Sequence, residues 1–293
     1  MLRAPQFSIC QFTTLHASFA DDLEAYAAAG ASGIGVLELK LTPGDEERLR
    51  DSVLRPTVCV PSVPSILPLP LLPGPSDPAV RIESLCASIH RLARLEPVAV
   101  MFLTGPGESG RRIVVEGIKR LAEASAEAGV MLAIEPFHAS QRDTFSFVNS
   151  IPDALELLAE ADVDGLRLLF DTWHLGDAPQ IEAEIAEHAS LVACVHVSDR
   201  RRPTRAEFDR VLPGEGVLPL PQLFRALGES GYDGYYEVEI FSDDGTFGEA
   251  LPDSLWALDP AVVAGRARST FDRVWRDAWP TVPASGESDP RAE

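Results

Sequence analysis

The stretch AAAGASGIGVLEL, residues 27–39, reads as the end of a helix, a stop at Gly30 and then a buried strand. Alanines extend a helix, a glycine supplies the left-handed residue that ends one, and an apolar run without polar alternation suits a strand covered on both faces. Strand after helix recurs along the chain. Candidate strands are Phe7–Phe12, Gly33–Leu39, Pro56–Val60, Val98–Leu103, Val130–Ile134, Leu166–Phe170, Leu191–Val197 and Tyr235–Ile240. The clearest helices between them are Asp21–Ala29, Pro78–Arg94, Arg111–Ala128, Pro152–Glu160 and Leu220–Ser230, with Gly30, Gly129 and Gly231 placed as C-terminal stops. Eight strand-then-helix rounds fit closure into an α/β (β/α)8 TIM barrel better than an open doubly wound sheet of five or six strands.

A chain of 293 residues accommodates one such barrel, so residues 1–280 are expected to form a single domain, followed by a polar, disordered tail at 281–293. The segment PSVPSILPLPLLPGPSDP, residues 61–78, holds too much proline for a helix or a central strand. It reads as an ordered loop over the barrel mouth, either covering substrate or simply connecting.

The 25 basic against 45 acidic residues give a net charge of −20, which repels a phosphate backbone and makes nucleic acid an unfavourable partner. Cys10, Cys59, Cys86 and Cys194 are widely spaced with no CxxC pair, the pattern of buried free thiols. The N-terminus lacks a continuous apolar core, and no run of about 18 apolar residues occurs. No membrane partner is expected, and the default location is cytoplasmic.

In a barrel of this kind the C-terminal strand ends face one mouth, so polar residues closing apolar runs are the first candidates for chemistry. MLAIEPFH (131–138) places Glu135 after the fifth strand, LRLLFDTWH (166–174) places Asp171 after the sixth, ACVHVSD (193–199) places His196 in the seventh, and YYEVEIFS (235–242) places Glu239 in the eighth. Each alone is an ordinary polar residue. Together, three converging carboxylates would repel one another, and a divalent cation held with one imidazole removes that repulsion. An oxygen-rich set with one nitrogen favours Mn2+ or Mg2+, with Co2+ or Zn2+ as alternatives. Two carboxylates flanking such an ion can exchange protons with a carbon next to a polarised carbonyl.

The motifs IEPFH, FDTWH, VHVSD, VLPGEGVLPL and GYDGYYEVEIF resemble the xylose isomerase-like superfamily over roughly residues 7 to 275, nearest the branch of ketose 3-epimerases and inosose dehydratases. The resemblance implies metal ligands at Glu135, Asp171, His196 and Glu239, with Glu135 and Glu239 doubling as acid and base. It also places a substrate contact at His174. A substrate-binding arginine falls on Arg210 when counted back from PGEG and on Arg202 when counted forward from His196; Arg210 keeps the spacing to both the turn and Glu239.

Further candidates come from position. His138, three residues past Glu135, could shuttle protons as a catalytic base; the plain alternative is an exposed loop histidine. Trp173 could pack on a sugar face or form wall, and Glu38, ending the second strand, could bind a hydroxyl. Alternation directs Glu237 and Glu239 alike, so the motif alone selects Glu239. His16 is left open, and His90 and His188 read as helix-surface residues.

The leading expectation is an isomerase or epimerase of a small polyhydroxylated ketone. A dehydratase or lyase acting by elimination on a keto-inositol or keto-sugar conjugate is the competitor, and a non-catalytic sugar-binding subunit a third reading. An abasic-site endonuclease is disfavoured by the charge and by only six histidines. By resemblance, a homo-oligomer or a heteromeric enzyme subunit is also in view.

Overall fold

Strands rich in Val, Ile and Leu are stable only where both faces are covered. In the computed structural model, which describes residues 4–280, the sheet runs through β1 (Gln6–Cys10), β2 (Gly33–Leu37), β3 (Arg55–Val60), β4 (Ala99–Phe102), β5 (Leu132–Ile134), β6 (Arg167–Asp171) and β7 (Val192–Val197). A short antiparallel pair follows, β8 (Asp199–Arg200) with β9 (Arg210–Val211), before the last barrel strand β10 (Tyr235–Val238). The eight long strands pair in parallel in the closed order β1-β10-β7-β6-β5-β4-β3-β2, so the molecule is a (β/α)8 barrel. The expected tail at 281–293 lies outside the described residues.

Helices α1 (Phe19–Ala28), α2 (Asp45–Asp51), α3 (Pro78–Leu92), α4 (Arg111–Ala128), α5 (Ile151–Ala161), α6 (Thr172–Leu175), α7 (Ile181–His188), α8 (Leu220–Glu229) and α9 (Pro260–Ala278) accompany the strands. Their starts follow local chemistry. Ser18 and Asp21 form a reciprocal capping box on α1, and the Asp77 and Asp259 side chains cap helices that open with proline. Gly129, at φ 66°, ends α4 in the left-handed conformation its position predicts.

Successive strand residues alternate between two apolar layers. Val100 and Phe102 of β4, and Leu168 and Phe170 of β6, face the helices, whereas Ala99, Met101 and Leu169 fill the barrel interior. A register shift between β6 and β7 brings Leu169 opposite Cys194 and Asp171 opposite His196. That shift places the two polar residues side by side on the inside.

The proline-rich loop is anchored as the sequence suggests. Buried Arg81 of α3 donates from Nε to the Ser65 carbonyl (2.8 Å) and from Nη2 to the Ser65 hydroxyl (2.6 Å), while Ser65 bridges to Leu103 beyond β4. Pro64 and Leu72 of this loop line the cavity at the barrel mouth. Among the described residues no helix is long and apolar enough to cross a membrane.

Candidate metal centre

The period-two alternation of the strands decides which polar residues meet. Glu135 lies two residues past interior Ala133, Asp171 two past Leu169, His196 two past Cys194, and Glu239 four past Tyr235. All four therefore enter the barrel at its C-terminal end. Each is buried, and one donor atom from each lies within 4.8 Å of the others.

His196 is the centre of the cluster. Its Nδ1 lies 3.0 Å from Glu135 Oε1 and 3.5 Å from Glu239 Oε2, while Nε2 faces Glu237 Oε1 at 3.4 Å. Burial opposes its cationic form, but Glu239, Glu135 and Glu237 outweigh that and hold the imidazole well above the usual histidine range. Burial, reinforced by the other carboxylates, pushes the Glu239 carboxyl up to about 7 against the pull of His196 and Arg210. Asp171 is the opposite case, because Arg210, His174 and His196 overcome its burial and lower its pKa.

Arg210 reaches this centre from β9. Its Nη1 donates to Asp171 Oδ2 (2.8 Å) and Glu239 Oε2 (3.1 Å). Arg202, the alternative by counting, is exposed in the loop of the hairpin. His174 is buried, and burial keeps its ring neutral. Its Nδ1 faces the His138 amide (3.2 Å) and its Nε2 faces Arg210 Nη2 (3.1 Å), so a donor meets each ring nitrogen. Nε2 also lies 3.7 Å from Asp171 Oδ2, which places His174 behind the Arg210–Asp171 pair.

The donor set fits a divalent cation. Three carboxylates against one guanidinium leave two formal negative charges with a neutral imidazole, and buried oxygens with one nitrogen are hard-ion ligands. The sequence did not identify Glu237 as a supporting group. Its Oε2 accepts from the hydroxyls of Ser8 (2.7 Å) and Thr57, and a side chain at Gly35 would collide with its carboxylate. Glu237 thus forms the floor below His196.

Three expected positions are not gathered at the carboxylates. Glu38 opens a 3-10 turn instead of extending β2, so it turns outward and accepts from the Ser62 amide (2.7 Å), Ser88 Oγ (2.8 Å) and Arg91. It borders a separate surface groove. His138 bonds to Ser140 Oγ (2.8 Å) through Nδ1, caps its own short turn and packs edge-on to Trp173. Burial and nearby Arg200 lower its pKa. Trp173 is buried, with the guanidinium carbons of Arg200 and Arg210 each 5.4 Å from its ring, and so backs the site as wall. His16 bonds to Asp244 (3.0 Å) in an exposed contact.

Above the carboxylates lies a cavity of about 660 Å3, mouth included, into which Glu135, Arg210 and Glu239 project. Its walls are largely apolar and include Phe12, Phe137, Phe145, Phe208, Phe241 and Phe247. Phe137 and Phe241 stand two residues beyond Glu135 and Glu239, a spacing visible in the sequence. Phe208 and Phe247 arrive on irregular segments and give no such signal.

The family model described as Xylose isomerase-like TIM barrel matches residues 23–261. An inosose dehydratase of Erwinia tasmaniensis is 27% identical over 150 residues, 45% of this chain and 48% of that protein. An L-ribulose-5-phosphate 3-epimerase of Escherichia coli O157:H7 is 27% identical over 206 residues, 67% of this chain and 65% of that protein. The matched part thus spans between about half and two thirds of these curated relatives. In fold, the chain is similar to the IolI protein crystallised with a zinc atom, at a TM-score of 0.74 and 18% identity, covering 94% of this chain and 100% of that one.

Proposed function

Because the chain belongs to the xylose isomerase-like TIM-barrel family, we propose that it is a divalent-metal-dependent isomerase or epimerase that moves a proton beside the carbonyl of a polyhydroxylated ketone. The observation that carries this reading is the buried set Glu135, Asp171, His196 and Glu239, with donor atoms within 4.8 Å of one another at the foot of a cavity. When bound there, a divalent ion supplies Lewis acidity toward a carbonyl or hydroxyl oxygen. Mn2+ or Mg2+ suits the oxygen-rich donors first, with Co2+ or Zn2+ as alternatives.

The protein groups divide the remaining work. Glu135 and Glu239 both line the cavity floor, so one takes a proton from the substrate carbon while the other returns one from its own side. Asp171 and His196 complete the ligand set. Arg210 orients substrate oxygens as a hydrogen-bond donor, and His174, 3.1 Å from its Nη2, holds the guanidinium in place.

Elimination is the second reading, favoured by the likeness to an inosose dehydratase. Here one carboxylate removes the proton next to the carbonyl, the bond from the β-carbon to its oxygen substituent breaks, and the other carboxyl protonates the departing oxygen. Incubation of metal-loaded protein with ketoses and keto-inositols in D2O separates these outcomes. Deuterium entering carbon without a new double bond supports isomerisation or epimerisation, enone absorbance supports elimination, and neither signal with any of the metals rejects both. In the active assay, Glu239→Gln is expected to lower kcat by about 100-fold or more while weakening substrate binding less. Metal content is measured in parallel, and undiminished turnover would remove Glu239 from the acid–base pair.

A further inference from the structure

Resting on the site just proposed, we propose that the substrate is a keto-sugar conjugate bearing a flat, uncharged aryl group, and that this group occupies the upper cavity. The lining forms a continuous aromatic surface from one carboxylate to the other. Phe137, beside Glu135, stacks on Phe145 at 5.4 Å; Phe145 meets Phe208 edge-on at 6.0 Å; and Phe208 stacks on Phe241, beside Glu239, at 5.5 Å. Phe12 and Phe247 extend it at 4.4 Å from Phe241 and 4.8 Å from Phe208.

A simple ketohexose does not match that surface. It carries a hydroxyl or carbonyl oxygen on nearly every carbon, and each one pressed against phenyl rings loses its water without gaining a partner. Above the carboxylates the polar lining side chains are Gln141 and Glu207; the Gln141 amide donates to Glu207 at 2.6 Å, and Gln141 Oε1 is the one buried lining acceptor left without a partner among the described residues. A phosphate is no better served. Arg210 is the cation among the lining residues, and Asp171 and Glu239 already engage it. A ligand with oxygens at one end and an aryl ring at the other satisfies both halves, since rings stack favourably offset or edge-on at the separations found here.

The test compares methyl, phenyl and phosphorylated derivatives of one keto-hexose, with binding to the metal-loaded full chain followed by calorimetry. The phenyl glycoside is expected to bind about 10- to 100-fold tighter than the methyl glycoside, from burial of its ring, and the phosphorylated sugar no tighter than the methyl one. Phe208→Ala, and Phe208→Leu as a milder change, are expected to lower phenyl affinity more than methyl affinity. Equal binding of the methyl and phenyl compounds overturns the proposal, as does preference for the phosphorylated sugar or a phenyl advantage untouched by both variants. The readout is independent of turnover. A phenyl preference without deuterium exchange keeps this proposal and rejects the proton-transfer reading, whereas exchange on free ketoses without a phenyl preference does the reverse.

Discussion

Glu237 and Glu239 stand two positions apart on β10, and the strand directs both into the barrel, yet their surroundings give them different work. Glu239 faces the cavity and Arg210, while Glu237 lies one layer below against Ser8, Thr57 and His196. With its carboxylate 3.4 Å from Nε2 of His196, Glu237 favours a proton on that nitrogen once Nδ1, which otherwise bonds to Glu135 Oε1 at 3.0 Å, loses its own to a cation. This is the tautomer a cation among those carboxylates requires. Glu237→Gln keeps the shape but changes the partner. Its amide oxygen stays with the two hydroxyls and its NH2 faces Nε2, which favours the other tautomer. Metal affinity is expected to fall about 10- to 100-fold, with a changed imidazole 15N spectrum in the metal-free protein. Wild-type affinity together with an unchanged spectrum would refute this role.

At the scale of elements, the hairpin of β8 and β9 carries Arg210 to the centre and Phe208 to the cavity wall. Its loop is held by Asp209, which accepts from Arg205 Nε (2.9 Å), Arg205 Nη2 (2.6 Å) and the Arg205 amide (3.0 Å). Burial of Asp209 works against its charge, but these bonds prevail and lower its pKa. A depressed carboxyl stabilises the fold above its unfolded pKa of about 3.9, and that contribution disappears as pH falls through the folded value. Asp209→Asn is therefore expected to cost about 1.5–3 kcal/mol at pH 7 and less at pH 3.5, read as a Tm difference that narrows with acid. A gap that stays constant between those conditions would contradict the pairing. Elements of this kind also mark where sequence reading stops. The eight strands were legible because burial on both faces demands unbroken apolar runs, and the polar residues closing those runs drew attention to Glu135, Asp171 and His196, whereas Glu239 was told from Glu237 by its motif alone. The same rule fails at Glu38, where the chain leaves β2 for a 3-10 turn, and at His138, whose ring is taken by its own cap. Phe208 and Phe247 reach the cavity through long-range packing of irregular segments, for which local periodicity holds no record.

Across the whole molecule, the barrel holds its carboxylates together in a chain whose net charge is −20, so their mutual repulsion meets no general positive field. Without a cation the centre is neutralised by Arg210 and by protons. His196 titrates well above its usual range, and Glu239 is raised to about 7. Both folded pKa values exceed the unfolded ones, so the stability these groups contribute is full at low pH and is lost as pH rises through the folded values. The metal-free protein is therefore expected to lose Tm as pH rises from about 4.3, the unfolded glutamate value, to about 7, and to go on losing it above about 6.5, the unfolded histidine value. Ligation needs a neutral imidazole and an ionised carboxylate, so binding Mn2+ expels protons and its affinity rises with pH. Calorimetric titration at pH 7 in two buffers of different ionisation enthalpy is expected to show release of about one proton or more per ion. The stabilisation conferred by a fixed excess of Mn2+, which grows as RT ln(1 + [L]/Kd), should then be larger at pH 8 than at pH 6. Buffer-independent heats, or a metal-induced Tm gain that shrinks as pH rises, would show that the cation binds outside the protonated cluster of His196 and Glu239.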